Sequence, residues 1–237
     1  YTRVASNAFL ATGMSFVIIT GGIDIGVGSV AAFSGITATV VIGLFDQPSI
    51  FTCVVVSVLV AGGIGALCGL FNGFMISKMN VVPMIATLAM MSVARGMAYV
   101  VTGGRPIFNL PSTFTWIGNH RILKTEGMPM GWLPIIVILM VVVMVAAHLF
   151  LSKTVLGRHI YAVGSNEEVA FLNGISITRI KLFVYALSGV LSALGGVCIA
   201  SKLNSGQPTR ALGYEMFASA AVDHGGTSLA GGKGGVN

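Results

Sequence analysis

Charge is what this sequence has least of. Asp, Glu, Lys and Arg make up 8% of its 237 residues, against about 25% in a soluble domain. A soluble chain of this length buries a good core, but here too little charge remains to cover the surface. That excludes an ordinary soluble enzyme or binding module. Cysteine is scarce as well. Cys53, Cys68 and Cys198 all fall inside apolar runs, at spacings that fit neither a zinc site nor a disulfide framework, and they read as small packing residues. The net charge of +6 comes without a basic stripe or interleaved aromatics, which excludes nucleic acid as a partner. No catalytic group, metal set or cofactor site stands out, and no cofactor is expected.

What the chain has instead is apolar length and glycine: 55% hydrophobic residues and 32 Gly. About 20 apolar residues cross the hydrocarbon layer of a bilayer, and Gly is more frequent in transmembrane helices than in soluble ones. The expected fold class is therefore all-α, a polytopic membrane protein built as a multi-span helical bundle in the lipid bilayer. Spans are predicted at positions 4–23, 25–45, 50–77, 83–102, 132–151 and 182–201, with a last apolar segment from Tyr214. Pro83 suits a first helical turn, and Trp132 suits a membrane–water interface. Positions 103–131 read as a mixed loop and 202–213 as a second loop. Basic residues divide evenly between alternate loops, so they do not set orientation. Small residues recur every fourth position at Ala61, Gly65, Gly69, Gly73 and at Ser188, Ser192, Gly196, Ala200, a pattern that lets helix backbones approach closely.

Two tracts interrupt the apolar pattern. One is residues 20–29, with Gly21, Gly22 and Asp24. The other is residues 225–235, with Gly225, Gly226 and Thr227. They read as an internal repeat 204 residues apart, and broken helices at matching places in two halves point to a translocation path. Unwound backbone at membrane depth is tolerated only where it is buried or lines a cavity. Gly26-Val27-Gly28-Ser29-Val30-Ala31 matches a dinucleotide-binding pattern, but no alternation of strands and helices follows it. The second tract fails the P-loop pattern, with Thr227 in place of the first Gly and Gly234 after Lys233. Asp24 and Arg95 are the charges placed deepest in the layer, and an intramembrane charge suggests function. The alternative is that Asp24 lies at the layer's edge and Arg95 pairs with a carbonyl or snorkels to the interface. An Asp24–Arg95 pair is one further option. Asp223-His224 is too small a group for a metal or a nucleophile.

One polar island stands apart, positions 153–181, with Lys153, Arg158, Glu167, Glu168, Arg179 and Lys181. Ser165 and Glu168 have capping-box spacing, and Asn173-Gly174 gives a helix stop. A helix of about eight residues over 166–173 is expected, roughly 12 Å long and marginal alone in water. Phe171 and Leu172 are its bulky apolar residues, suited to contact with a neighbour.

Several motifs together carry a family resemblance. They include Gly13-Met14-Ser15-Phe16-Val17-Ile18 running into Gly21-Gly22-Ile23-Asp24-Ile25, Ile85-Ala86-Thr87-Leu88, and Ala94-Arg95-Gly96. They continue with Gly157-Arg158-His159-Ile160-Tyr161-Ala162-Val163-Gly164, Ser205-Gly206-Gln207-Pro208-Thr209, and Gly225-Gly226-Thr227-Ser228-Leu229-Ala230-Gly231-Gly232. The chain resembles the membrane-spanning permease subunit of bacterial ATP-binding-cassette sugar importers, the ribose-type group, over essentially its whole length. The resemblance implies about ten spans in two inverted halves, with broken helices. About seven are present here, and the chain, which starts without Met and stops in a Gly-rich tract, reads as a fragment lacking the first span and the last two. It implies that the island is cytoplasmic and that Asn166, Glu167, Glu168, Val169, Ala170, Phe171, Leu172 and Gly174 form a coupling helix docking on a separate ATP-binding subunit. It further implies a second permease copy, an extracytoplasmic sugar-binding protein and a plasma-membrane location. The permease itself performs no chemistry. Gly21, Gly22, Asp24, Arg95, Gln207, Gly225, Gly226 and Thr227 are the candidates for the translocation path. Asp223-His224 departs from the family's apolar pattern, and Gly26 replaces a usual Ser. The competing function is an ion-coupled secondary transporter of a small polar solute, which the acidic residues at the breaks favour but which leaves the island helix without a purpose.

Overall fold

A computed structural model describes residues 2–122, 133–228 and 231–235. Its chain order is α1 (Thr2–Ile19), α2 (Val27–Ile42), α3 (Ile50–Lys78), α4 (Pro83–Thr102), β1 (Ile107–Phe108), α5 (Ser112–Asn119), β2 (Arg121–Ile122), β3 (Leu133–Pro134), α6 (Ile135–Lys153), α7 (Val155–Ser165), α8 (Glu167–Leu172), α9 (Ile177–Leu203), β4 (Ser205–Gly206) and α10 (Tyr214–His224). The four strands are two residues each and pair antiparallel as β1 with β4 and β2 with β3. No parallel sheet stands behind the Gly26–Ala31 motif among the described residues, so the dinucleotide pattern is a helix start. The fold is an all-α polytopic membrane bundle. Among the described residues four helices, α3, α4, α6 and α9, are long and apolar enough to cross a membrane, and α1 and α2 are shorter apolar helices.

α3 and α4 begin and end within a residue of the predicted spans, whereas α6 is shifted to 135–153 and α9 begins five residues before the predicted span and ends two after it. α3 starts at an N-cap, Ser49, whose hydroxyl accepts from the Thr52 N–H at 3.1 Å. α4 starts at Pro83 and ends on Gly103 in the left-handed conformation. The mixed loop contains a helix the sequence does not announce, α5, whose Phe114 is buried. Ser201 of α9 holds it, donating to Phe114 O at 2.6 Å and accepting from the Gly118 N–H at 2.8 Å. Trp132 lies outside the described residues.

α9 is the centre of the packing, and small residues set how closely its neighbours come. Gly65 and Gly69 of α3 lie directly on the backbones of Gly189 and Tyr185. Gly196 lies on Ala31 of α2, and Gly13 of α1 faces Ser188. The two predicted stripes are real, but they do not face each other. The α3 stripe meets Tyr185 and Gly189, while Ser188 and Gly196 of the other stripe meet α1 and α2. Cys53 and Cys198 are buried free thiols, as packing residues should be.

These contacts also set direction. α1 and α3 run antiparallel to α9 (Ser6 beside Gly195 and Gly13 beside Ser188; Gly65 beside Gly189 and Gly73 beside Leu182), whereas α2 runs parallel to it. The end of the bundle that carries α7 and α8 is here called the island side. α1 descends to the island side, the chain returns through residues 20–26 to mid-depth, and α2 climbs to the far side. α9 climbs to the far side, residues 204–213 return, and α10 descends. The two units are inverted copies in path. The correspondence therefore pairs the return at 20–26 with that at 204–213, because each follows a helix that runs on to one end of the bundle and then turns back. The tract at 225–235 follows the short α10 instead and lies against the first break rather than mirroring it.

Close approach makes a sharp prediction. A Cβ on Gly69 would meet the Tyr185 carbonyl, whereas one on Gly62 meets nothing within 4 Å. Gly69→Val should lower stability by about 1–3 kcal/mol or more, as overpacking does, and Gly62→Val should leave it nearly unchanged. Thermal unfolding of the two purified variants checks this.

Candidate functional site

The first break is held by a buried carboxylate. α1 ends at Ile19, and Gly21 takes φ +75°, a left-handed turn that suits Gly. Gly22 is small because the Tyr185 hydroxyl lies 2.5 Å from the place of a Cβ. Asp24 is only 4% exposed. Its Oδ1 accepts from the Gly26 N–H at 3.0 Å, an Asx-type turn, and its Oδ2 accepts from Ser188 Oγ at 3.0 Å. Ser188 lies about 16 Å along α9 from Ile177, so Asp24 is at mid-depth of the bundle.

Arg95 does not pair with Asp24. Its Nη1 donates to Pro208 O and Arg210 O, both at 2.7 Å, in the second return. Beside it, Gln207 donates to Ser205 Oγ at 3.0 Å and accepts from Arg210 Nε at 3.0 Å. Thr87, two turns earlier on α4, donates to Ile23 O at 3.4 Å and to Pro83 O at 3.0 Å. α4 thus holds both returns, at positions about 12 Å apart along one helix. The two carbonyls beside Arg95 would be bare in a medium without water, so the guanidinium satisfies backbone that the return exposes.

Gly225, Gly226 and Thr227 lie elsewhere, on the island side. Gly226 takes φ +82° and Thr227 Oγ1 donates to Gly235 O at 3.1 Å. This tract touches the end of the first break: Gly232 N–H donates to Ile19 O at 2.9 Å, and Gly231 lies against Gly21. The candidate path residues therefore fall into three groups. Gly22 and Asp24 meet Tyr185 and Ser188 at the first return. Arg95 and Gln207 lie at the second return. Gly225, Gly226 and Thr227 belong to the island-side tract, whose Gly231 touches Gly21. Leu229 and Ala230 lie outside the described residues. His224 ends α10 with Nδ1 2.8 Å from Ala220 O, and Asp223 is exposed.

The island differs from its expected form. It opens with α7, eleven residues capped by Thr154, whose Oγ1 accepts from the Gly157 N–H at 3.0 Å. Ser165 is the last residue of α7, and its hydroxyl donates to Tyr161 O at 2.9 Å. It is not an N-cap, and there is no Ser165–Glu168 capping box. Asn166 takes the extended conformation a cap needs (φ −164°, ψ 111°), and its Oδ1 accepts from the Val169 N–H at 3.0 Å. α8 is six residues long, not eight, with Asn166 outside it. Its end matches expectation: Gly174 has φ +78°, Gly174 N–H donates to Phe171 O and Ile175 N–H to Ala170 O, a Schellman stop.

α8 has one anchored and one open face. Ala170 is buried in a cluster with Ile19, Ile160, Val163 and Val184, and Glu167 pairs with Lys181 of α9 at 2.6 Å. Val169, Phe171 and Leu172 are 52%, 67% and 77% exposed. α7 meets the breaks at Gly164, which lies against Ile19 O and Gly232 N, and at Tyr161, whose hydroxyl donates to Gly234 O at 2.7 Å. Burial pushes the Tyr161 phenol upward in pKa, so it stays a donor at neutral pH. Ser188, Thr87, Tyr161 and Gly164 are site residues whose roles the sequence hides. The first two are ordinary small hydroxyls in apolar helices, and the others act through contacts some 70 or more residues distant.

A bundle with broken helices, buried polar latches at mid-depth and a capped helix standing out from one end defines a polytopic membrane transport protein. Residues 1–232 match the family described as the permease component of branched-chain amino acid transport systems. The ribose import permease of Bacillus subtilis (strain 168) is 41% identical over 233 residues, covering 98% of this chain and 68% of that protein. The ribose import permease of Escherichia coli (strain K12) is 42% identical over 237 residues, covering 98% and 69%. The L-arabinose transport system permease of the same strain is 36% identical over 234 residues, covering 99% and 67%. No solved structure matches. The chain belongs to this family of transport-system permeases, in its ribose-type ATP-binding-cassette group. It is a transport subunit of the bacterial inner membrane rather than an enzyme, and it works with an ATPase and a substrate-binding partner. These matches favour an importer permease over an ion-coupled secondary transporter.

Two predictions follow from the latches. Asp24→Asn keeps an acceptor for the Gly26 N–H and a partner for Ser188, so thermal stability should change little. Asp24→Leu leaves both donors bare and should cost about 1–3 kcal/mol for each, read by thermal unfolding. In the island, Asn166→Ala should lose about 1 kcal/mol of local stability, and Ser165→Ala should lose little. Hydrogen exchange at the Val169 amide distinguishes them.

Proposed function

We propose that this chain forms the transmembrane path for a ribose-like monosaccharide or a related sugar, and that α8 couples it to a cytoplasmic ATP-binding subunit. The observation that carries the coupling is the open face of α8. Three apolar side chains stand in solvent on a helix of six residues whose other face is locked to the bundle through Ala170. A helix so short does not hold itself. The cap at Asn166 and the stop at Gly174 fix its shape before any partner arrives, which lowers the ordering cost of docking. Phe171 and Leu172 are then anchors for an apolar groove on the partner.

On this reading residues 153–181 are cytoplasmic, and the far side, with α5 and the β1–β4 pair, receives solute from an extracytoplasmic sugar-binding protein. The exposed faces of α3, α4 and α6 leave room for lipid and for a second permease copy. Ribose, arabinose and galactofuranose are the solutes in the names of similar permeases, and they support a sugar over the branched-chain amino acids of the family's description.

Phe171→Asp places a charge on the docking face and leaves the buried face intact. It should abolish ATP-driven uptake of labelled ribose in the complex assembled with its ATPase and binding protein, with the permease still inserted at wild-type level. Normal uptake by that variant would refute the docking role, and wild-type uptake of leucine in place of ribose would refute the sugar.

A further inference from the structure

α8 is tied to α9 by charge as well as by apolar contact. Glu167 opens α8, and its Oε1 lies 2.6 Å from Lys181 Nζ of α9, the one ion pair among the described residues. The Lys181 side chain is 16% exposed and that of Glu167 48%. A lysine so covered needs a partner, and Glu167 supplies it. Arg179, two residues earlier, leaves α9 on another side and is exposed. The two attachments of α8 do different things. Ala170 holds it through apolar burial, which resists separation but has no direction. The ion pair joins one atom of α8 to one atom of α9, and so fixes where α8 sits along the α9 axis.

α9 carries that fixed point inward. It is helical without a break from Ile177 to Leu203. Tyr185 follows Lys181 by four residues and Ser188 follows it by seven, so all three share one face, within about 10 Å along the axis. Tyr185 is 1% exposed, and its hydroxyl lies 2.5 Å from the place of a Cβ on Gly22. That hydroxyl has no hydrogen-bond partner among the described residues, so it meets the first return by contact alone. Ser188 Oγ donates to Asp24 Oδ2 at 3.0 Å. One edge of α9 therefore touches α8 at its outer end and the first return at its inner end.

We propose that Glu167 and Lys181 are positioning residues for transport. Their ion pair makes α8 and the island end of α9 one rigid lever. The inner end of the lever, Tyr185 and Ser188, moves against Gly22 and Asp24 when a partner pushes on α8. Phe171 and Leu172 take the load on the open face, and Lys181 passes it on. Glu167 thus acts inside this chain and not on the partner's surface. The proposal rests on the reading of α8 as the coupling helix, and it adds the route by which motion leaves α8.

The test measures labelled ribose imported per ATP hydrolysed, in vesicles bearing the complex assembled with its ATPase and binding protein. Glu167→Lys and Lys181→Glu each set like charges face to face. Each should lower that ratio about fivefold or more, while insertion and ATP hydrolysis persist. The exchange of Glu167→Lys with Lys181→Glu rebuilds the pair and should bring the ratio back to within about twofold of wild type. Glu167→Gln with Lys181→Met leaves neither repulsion nor tie, and should stay low. Glu167→Lys with Arg179→Glu puts the opposite charge on another side of α9, and should stay low as well. Single reversals with the wild-type ratio, an exchange that does not recover, or full recovery in either of the last two pairs would overturn the proposal. Loss in Glu167→Lys without loss in Lys181→Glu would also overturn it, because Glu167 would then pair with the partner. Where a reversed variant fails to insert, Glu167→Gln alone keeps the side chain's shape and should lower the ratio; a wild-type ratio there has the same force. Phe171→Asp separates this proposal from the reading beneath it. Full uptake by that variant sinks the docking of α8, whereas a failed exchange beside an inactive Phe171→Asp sinks the lever alone.

Discussion

In a bilayer the hydrophobic effect no longer draws helices together, so association depends on how closely their backbones approach. That constraint is met around α9. Gly65 and Gly69 of α3, Gly13 of α1, and Ala31 and Gly35 of α2 all lie against its backbone. Leucine at any of these places would push a helix away by the width of a side chain. The bonds at mid-depth would then separate, because each spans two elements that α9 keeps in register. Ser188 reaches Asp24 only while α1 and α2 are pressed to α9, and Ser201 reaches Phe114 and Gly118 only while α5 lies on its far end.

Close packing makes room for polar backbone that a bilayer otherwise forbids. The returns at 20–26 and 204–213 leave the regular helical ladder, and groups that their own turns and the β1–β4 pair do not satisfy find partners in α4 and α9. Thr87, Ser188 and Arg95 fill that role, and Asp24 closes its own turn. On the island side the first break, the second glycine tract and α7 converge at Ile19, Gly164, Gly231 and Gly232. A displacement of α8 therefore has a short mechanical route to both breaks: through Ala170 into the cluster that holds Ile19, and along α7 to Gly164 and Tyr161.

Much of this was legible in the sequence, for reasons that differ by element. α3 and α4 were readable almost to the residue because uniform apolar runs end in strong punctuation, Lys78 after one, Pro83 before the other and Gly103 after it. The Gly174 stop was readable because glycine is the residue that most easily takes the left-handed φ that ends a helix. α5 and α7 were not, since both mix polar and apolar residues with internal glycine, and their helicity comes from tertiary contacts such as Phe114 on α9 and Ile160 in the α1 cluster. The α8 cap was misplaced by one residue. Ser165 has the right spacing to Glu168, but the preceding helix runs through it and leaves the extended conformation to Asn166. The family motifs pointed to Asp24, Arg95 and residues 225–227 without revealing that they lie in three separate places. Which groups meet depends on contacts such as Gly21 with Gly231, and no local pattern encodes those.

The account turns on ATP driving a solute through this bundle. It is tested most directly by uptake of labelled ribose into vesicles bearing the complex assembled with its ATPase and binding protein. Uptake should require ATP inside the ATPase compartment and persist when ionophores collapse every ion gradient. Uptake that persists without ATP and stops when the gradients collapse would contradict it.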